Sequence, residues 1–185
     1  MRDFWIGRTY VHQACSEDRK EPGEAPGPLE FRAMTDEDLA EIAQSSDPGL
    51  RNRSGRCRPG LKRFGAWMNG ELAGVCGFEF GEEYLRAEAF FPLGGDQAEL
   101  TDIFTCSNKR GAGVARRLIR FSTEQMHGAG FHSLYAKVWH SNHLSSRAFL
   151  AAGWSEYCFF VRLQPKGNRR VWHLEWRRPG VQANI

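Results

Sequence analysis

The stretch from Asp102 to Leu118, DIFTCSNKRGAGVARRL, holds the residues best suited to binding a charged ligand. An extended segment runs into Arg110-Gly111-Ala112-Gly113-Val114-Ala115, and a helical pattern follows at once. Glycines between a strand and a helix N-terminus let the backbone come close to a ligand and aim successive N–H groups at it. The helix dipole adds partial positive charge there, so the turn suits a phosphate or pyrophosphate. Arg110 can add charge-assisted hydrogen bonds. The spacing matches neither Gly-x-Gly-x-x-Gly nor the P-loop pattern. A tight strand–helix turn also uses glycines for geometry alone, so these residues by themselves leave both readings open.

The elements that must position this turn follow from hydrophobic period and turn chemistry. Phe4 to His12 is aromatic and β-branched and reads as a short strand, whereas Cys15 to Pro28 is charged, Pro/Gly-rich and linker-like. Residues 1–28 are therefore expected to be an N-terminal extension, 29–178 the domain, and 179–185 a tail. The domain opens with a strand, LEFRAM, and a helix, TDEDLAEIA, in which Thr35 is the N-cap. An irregular basic stretch from Asp47 to Arg63 precedes a hairpin turning at Asn69-Gly70, a pair that favours the tight type I′ turn. Extended structure from Glu99 to Cys106 leads into a helix over Gly111 to about His127. A strand over Phe131–Trp139, a helix over Asn142–Ala152 and strands over Tyr157–Leu163 and Arg170–Trp176 complete the chain. The order predicts an α/β fold with a central mixed, mostly antiparallel sheet flanked by helices.

Composition narrows the partners. At 185 residues, 41% hydrophobic and 25% charged, the chain can bury a core without disulfides, which excludes a disordered chain. No apolar run is long enough to span a membrane. Met1 to Tyr10 carries no signal-like apolar stretch, and the five cysteines never form a Cys-x-x-Cys pair, so free thiols in the cytoplasm are expected. The six histidines show no ligand spacing, so no metal is expected. The net charge of +3 hides a partition: residues 1–100 carry 18 acidic and 12 basic side chains, residues 101–185 carry 4 and 13. A cationic second half points to an anionic partner, and Lys109, Arg110, Arg116, Arg117 and Arg120 gather at the glycine turn. The RRVWHLEWRR run alternates with period two, which favours an edge strand over a nucleic-acid patch.

Arg110-x-x-Gly113-x-Ala115 matches the pyrophosphate motif Gln/Arg-x-x-Gly-x-Gly/Ala of the GNAT N-acetyltransferases. HSNHLSSRAFLAAGW resembles their second signature, with Asn142, Ser145, Phe149, Gly153 and Trp154 on its positions. The order of elements agrees as well, so the resemblance covers about residues 29–178. It implies acetyl-CoA as co-substrate, a small-molecule amine as acceptor, and a monomer or homodimer with no membrane partner. Residues Arg110, Gly111, Ala112, Gly113, Val114 and Ala115 would hold the CoA pyrophosphate. The backbone of Ile103, Phe104 and Thr105 would pair with the pantetheine arm as an added strand does. Asn142 and Ser145 would meet its far end, though Asn142 also suits a plain helix N-cap.

The same resemblance implies direct attack of an amine on the thioester, which requires a base. Asp102 is the first candidate and Glu99 the second; strand alternation puts them on opposite faces of a regular strand. His140 suits a proton relay or an ordinary surface histidine. The position that carries a proton-donating tyrosine in many members is Phe149, so Tyr157, Cys158, Tyr135 or solvent must serve, or the domain binds acyl-CoA without turnover. In such a fold the basic run borders the acceptor. Arg56 and Arg58 then suggest an anion-bearing amine, such as an amino acid or amino sugar, and Glu79 contacts substrate or water.

Overall fold

The computed structural model describes residues 3–14, 29–55, 58–86, 93–164 and 172–179. The eight strands among them form one sheet: β1 (Asp3–Gln13), β2 (Leu29–Ala33), β3 (Leu61–Met68), β4 (Glu71–Glu79), β5 (Gln97–Thr105), β6 (Ser133–Trp139), β7 (Ser155–Gln164) and β8 (Trp172–Arg177). Their order across the sheet is β2-β3-β4-β5-β6-β1-β7-β8. Every neighbouring pair is antiparallel except β5 and β6. The expected mixed α/β architecture is therefore what forms.

The helices α1 (Asp36–Ala43), α2 (Pro48–Arg51), α3 (Gly81–Arg86), α4 (Val114–Gly128) and α5 (His143–Ala151) divide between the two faces. On one face α4 and α5 bury Leu118, Ile119, Met126 and Phe149 against Phe64, Phe78, Leu100 and Ala136. On the other, α1 and α2 bury Leu39, Ile42 and Leu50 against Val75, and Tyr84 of α3 packs with Val11, Tyr135 and Tyr157. Local chemistry fixes the ends. Thr35 and Asp38 close a capping box on α1, and Asn69 (φ 53°) with Gly70 (φ 78°) turns the β3–β4 hairpin.

Three expectations change. The strand near the N-terminus lies inside the sheet, paired with β6 on one side and β7 on the other, so a boundary at residue 29 does not set it apart. Within the basic stretch Asp47 caps the short helix α2, its side chain accepting from the Gly49 N–H at 2.8 Å. Helix α4 begins at Val114, because Gly111 (φ 83°) and Gly113 (φ 72°) are left-handed and lie outside it.

Candidate active site

Strand β5 ends at Thr105, and a 3₁₀ turn over Ser107–Lys109 carries the chain to Arg110 and the glycines. Gly113 is the N-cap of α4 and supplies no side-chain cap; the Arg117 N–H is bonded to the Gly113 carbonyl at 3.1 Å. The N–H groups before it start the helix without an intrahelical acceptor. Gly111, Ala112 and Gly113 are exposed, Val114 is buried, and Arg110 leans back to donate to the Thr105 carbonyl at 3.4 Å. A helix start whose first N–H groups have no intrahelical acceptor fits a pyrophosphate.

Beside this turn the sheet forks. Strands β5 and β6 pair only over Gln97–Leu100 and Ser133–Ala136. Beyond that, Asp102–Thr105 pairs with β4 alone, while Lys137–Trp139 pairs with β1. The β5 edge facing the gap offers N–H and C=O groups to an extended amide chain, which fits the pantetheine arm.

The fork also brings two carboxylates together. The β4–β5 register shifts between Gly77 and Phe78, setting Gly77 opposite Asp102 and Glu79 opposite Glu99. Gly77 and Glu79 share a face, so Asp102 and Glu99 share it too. The expectation of opposite faces fails because a bulge at Thr101 breaks the alternation. Glu99 is only 3% exposed. Its Oε2 accepts a short hydrogen bond from the Tyr84 hydroxyl and lies 2.9 Å from Lys137 Nζ. Burial pushes the Glu99 carboxyl above the usual range and Lys137 below its own, while their mutual attraction works against both shifts. Asp102 is committed elsewhere: Arg53 Nε lies 2.9 Å from Oδ1 and 2.8 Å from Oδ2, and that guanidinium sits 4.6 Å from the Phe104 ring centroid.

Other expected residues scatter. Arg58 donates to Glu79 at 2.8 Å, and Arg56 lies outside the described residues. His140 is exposed at the end of β6, its N–H bonded to the Ile6 carbonyl at 3.0 Å. Phe149 is buried, stacked on Tyr10 with centroids 5.6 Å apart, so it is a core residue. Tyr157 is buried with its hydroxyl unpartnered, and burial pushes that phenol up. Asn142 caps α5, its side chain accepting from the half-buried Ser145 N–H at 3.1 Å.

A cavity of about 270 Å³ opens at the fork, lined by Glu99, Thr101, Lys137, Trp139, Trp5 and Phe160. Sequence reasoning missed Lys137, although it is the single charge in the apolar run SLYAKVW. It missed Tyr84 for want of any signal, since α3 is six residues long. A larger groove of about 890 Å³, between α1–α2 and the Asn69-Gly70 turn, touches none of the expected site residues. Among the described residues no group of three His, Cys, Asp or Glu is placed to hold a metal, and no helix is long and apolar enough to cross a membrane.

Comparison with known proteins agrees with this fold. A GNAT-family protein of Novosphingobium aromaticivorans superposes with a TM-score of 0.60 at 20% identity, covering 86% of this chain and 63% of its own. A GNAT acetyltransferase of Colwellia psychrerythraea gives 0.58 at 17%, covering 89% and 57%. The chain thus spans about three fifths of the length of these two proteins. An aminoglycoside N-acetyltransferase in complex with CoA gives 0.52 at 20%, covering 69% and 92%. At these identities the likeness is one of fold. No curated protein matches the sequence. The sequence model of the acetyltransferase (GNAT) family matches residues 28–154, more than half of the chain, and the protein belongs to that family.

Proposed function

We propose that this protein transfers the acetyl group of acetyl-CoA to the primary amine of a small acceptor, with Glu99 receiving the amine's proton. The observation that carries the reading is the buried Glu99 carboxylate at the fork of β5 and β6, on the strand that leads to the uncapped start of α4. Acetyl-CoA supplies an activated thioester, whose C–S bond breaks as the amine forms its N–C bond. The N–H groups of Arg110 to Ala115 hold the pyrophosphate, with Arg116, Arg117 and Arg120 of α4 adding positive charge. The β5 backbone from Ile103 to Thr105 aligns the pantetheine arm, and a backbone N–H at the bulge serves as oxyanion donor. Asn142 and Ser145 stand at the far end of that arm. Solvent protonates the departing thiolate, since Phe149 has no proton to give and a thiol with pKa of about 8.5 is a fair leaving group.

Arg53 and Arg58 face Asp102 and Glu79, so the basic loop does not require an anion on the acceptor. Buried free thiols at Cys76, Cys106 and Cys158 suit the cytoplasm. The test is thiol release from acetyl-CoA across a panel of primary amines, with a thermal shift by acetyl-CoA measured alongside. Turnover on any of them supports the transferase. Phe149 in the core favours one second reading, an acyl-CoA-binding domain without transfer, which predicts the thermal shift with no thiol release on any amine.

A further inference from the structure

The ladder at the fork sets three residues in a row across β6, β1 and β7: Trp139 opposite Gly7, and Gly7 opposite Phe160. Residues paired in this way point to the same face. Gly7 offers no side chain and the Phe160 ring takes the space above it, so the row is a trough floored by Phe160 and flanked by Trp139. A Cβ at Gly7 would lie 2.6 Å from Phe160 Cζ and 2.8 Å from the Val138 carbonyl, which shows that the Phe160 ring leans across β1 into the trough. Trp5, two residues along β1, closes one end, and Lys137, two residues along β6, brings in Glu99.

We propose that this trough is the acceptor subsite and that it selects a monoamine carried on a flat aromatic skeleton; the inference rests on the transferase reading above. Three aromatic side chains around one carboxylate match a ring with an amine at its edge. Two cations stand at the same place, Lys137 beside Glu99 and Arg162 with its guanidinium 5.3 Å from the Trp5 ring centroid. A second positive charge on the acceptor would meet them, so polyamines are disfavoured. The volume, about 270 Å³, falls just below the roughly 300–1,000 Å³ range of small-molecule sites, which favours a one-ring acceptor over a multi-ring amino sugar. Trp5 and Phe160 lie outside residues 28–154, the stretch that the family model matches.

The experiment compares kcat/KM for 2-phenylethylamine, glucosamine, spermidine and kanamycin, with acetyl-CoA binding followed by thermal shift. The expected result is a preference of about tenfold or more for 2-phenylethylamine. Trp139→Ala, at a half-exposed position that the fold tolerates, is expected to lose most of that preference through KM for the amine. Trp139→Phe restores it, and KM for acetyl-CoA stays put in both. A preference for glucosamine, spermidine or kanamycin overturns the inference, as does a Trp139→Ala effect equal for all four amines. Absence of any acetyl-CoA shift overturns the transferase reading itself, and the inference with it.

Discussion

Glu99 is held by two partners of different character: the Tyr84 hydroxyl fixes its orientation, and Lys137 compensates its charge in a place with almost no water. A proton acceptor must be ionised to work, and burial raises the pH at which Glu99 becomes so. Activity is therefore expected to climb with pH through a midpoint above the ordinary glutamate value of about 4.3. Glu99→Gln keeps an acceptor for the Tyr84 hydroxyl but removes the base, so kcat should fall about 10²–10⁴-fold and the acid limb should disappear. Gln also leaves Lys137 without its counter-charge, so Glu99→Gln combined with Lys137→Met serves as the folding-competent check. Thiol release against pH reads both, and an unchanged kcat in the two variants would move the base elsewhere. The sequence offered Glu99 and Asp102 as candidates but could not rank them. Their order depends on contacts made through space: Arg53, 49 residues from Asp102 in the chain, engages that half-buried carboxylate, whereas Glu99 is buried at the fork beside Tyr84 and Lys137.

The Gly111–Gly113 turn of α4 shows how far an element can be read locally. Its glycines marked a turn between strand and helix, so the motif was legible from residue type, but both have positive φ and the helix starts at Val114 rather than at Gly111. The β3–β4 hairpin was legible for the same reason. Helix α3 was not: six residues show no periodicity, and its place follows from Tyr84 packing over β6 and reaching Glu99. The bulge in β5 was equally hidden, because it is a property of register between two strands. Gly113 permits a clean test of the turn. A Cβ there meets nothing within 4 Å, so substitution costs the unliganded protein only the strained backbone, about 1–2 kcal/mol. Gly113→Val is expected to lower the unfolding midpoint by a few degrees while weakening CoA binding at least tenfold by calorimetry. Equal losses in stability and binding would mean the turn is structural only.

At the scale of the molecule two parts of the sheet are joined by the end of the chain that composition set apart. The aromatic, β-branched residues of β1 identified a strand, but nothing in them named β6 and β7 as neighbours, since pairing partners 120 or more positions away leave no local trace. A chain beginning at Leu29 would expose the facing edges of β6 and β7 together, and it is expected to show no cooperative thermal transition by circular dichroism. The same strand is tied at its far end to α4 through two histidines. His127 Nδ1 lies 2.7 Å from the Phe131 carbonyl, which only accepts, so that nitrogen carries the hydrogen and Nε2 is left to accept from His12 Nδ1 at 2.9 Å. Burial, reinforced by His127, lowers His12 to about 4 in the folded protein, against an ordinary value of 6.5. The unfolded chain then binds a proton that the folded one refuses, so this contribution to stability is complete above about pH 6.5 and is lost as pH falls towards 4. His12→Gln keeps a donor for His127 but cannot titrate. Its unfolding midpoint should therefore fall less between pH 7 and 4 than that of the parent, and parallel curves would show that the histidine pair does not govern how β1 is held.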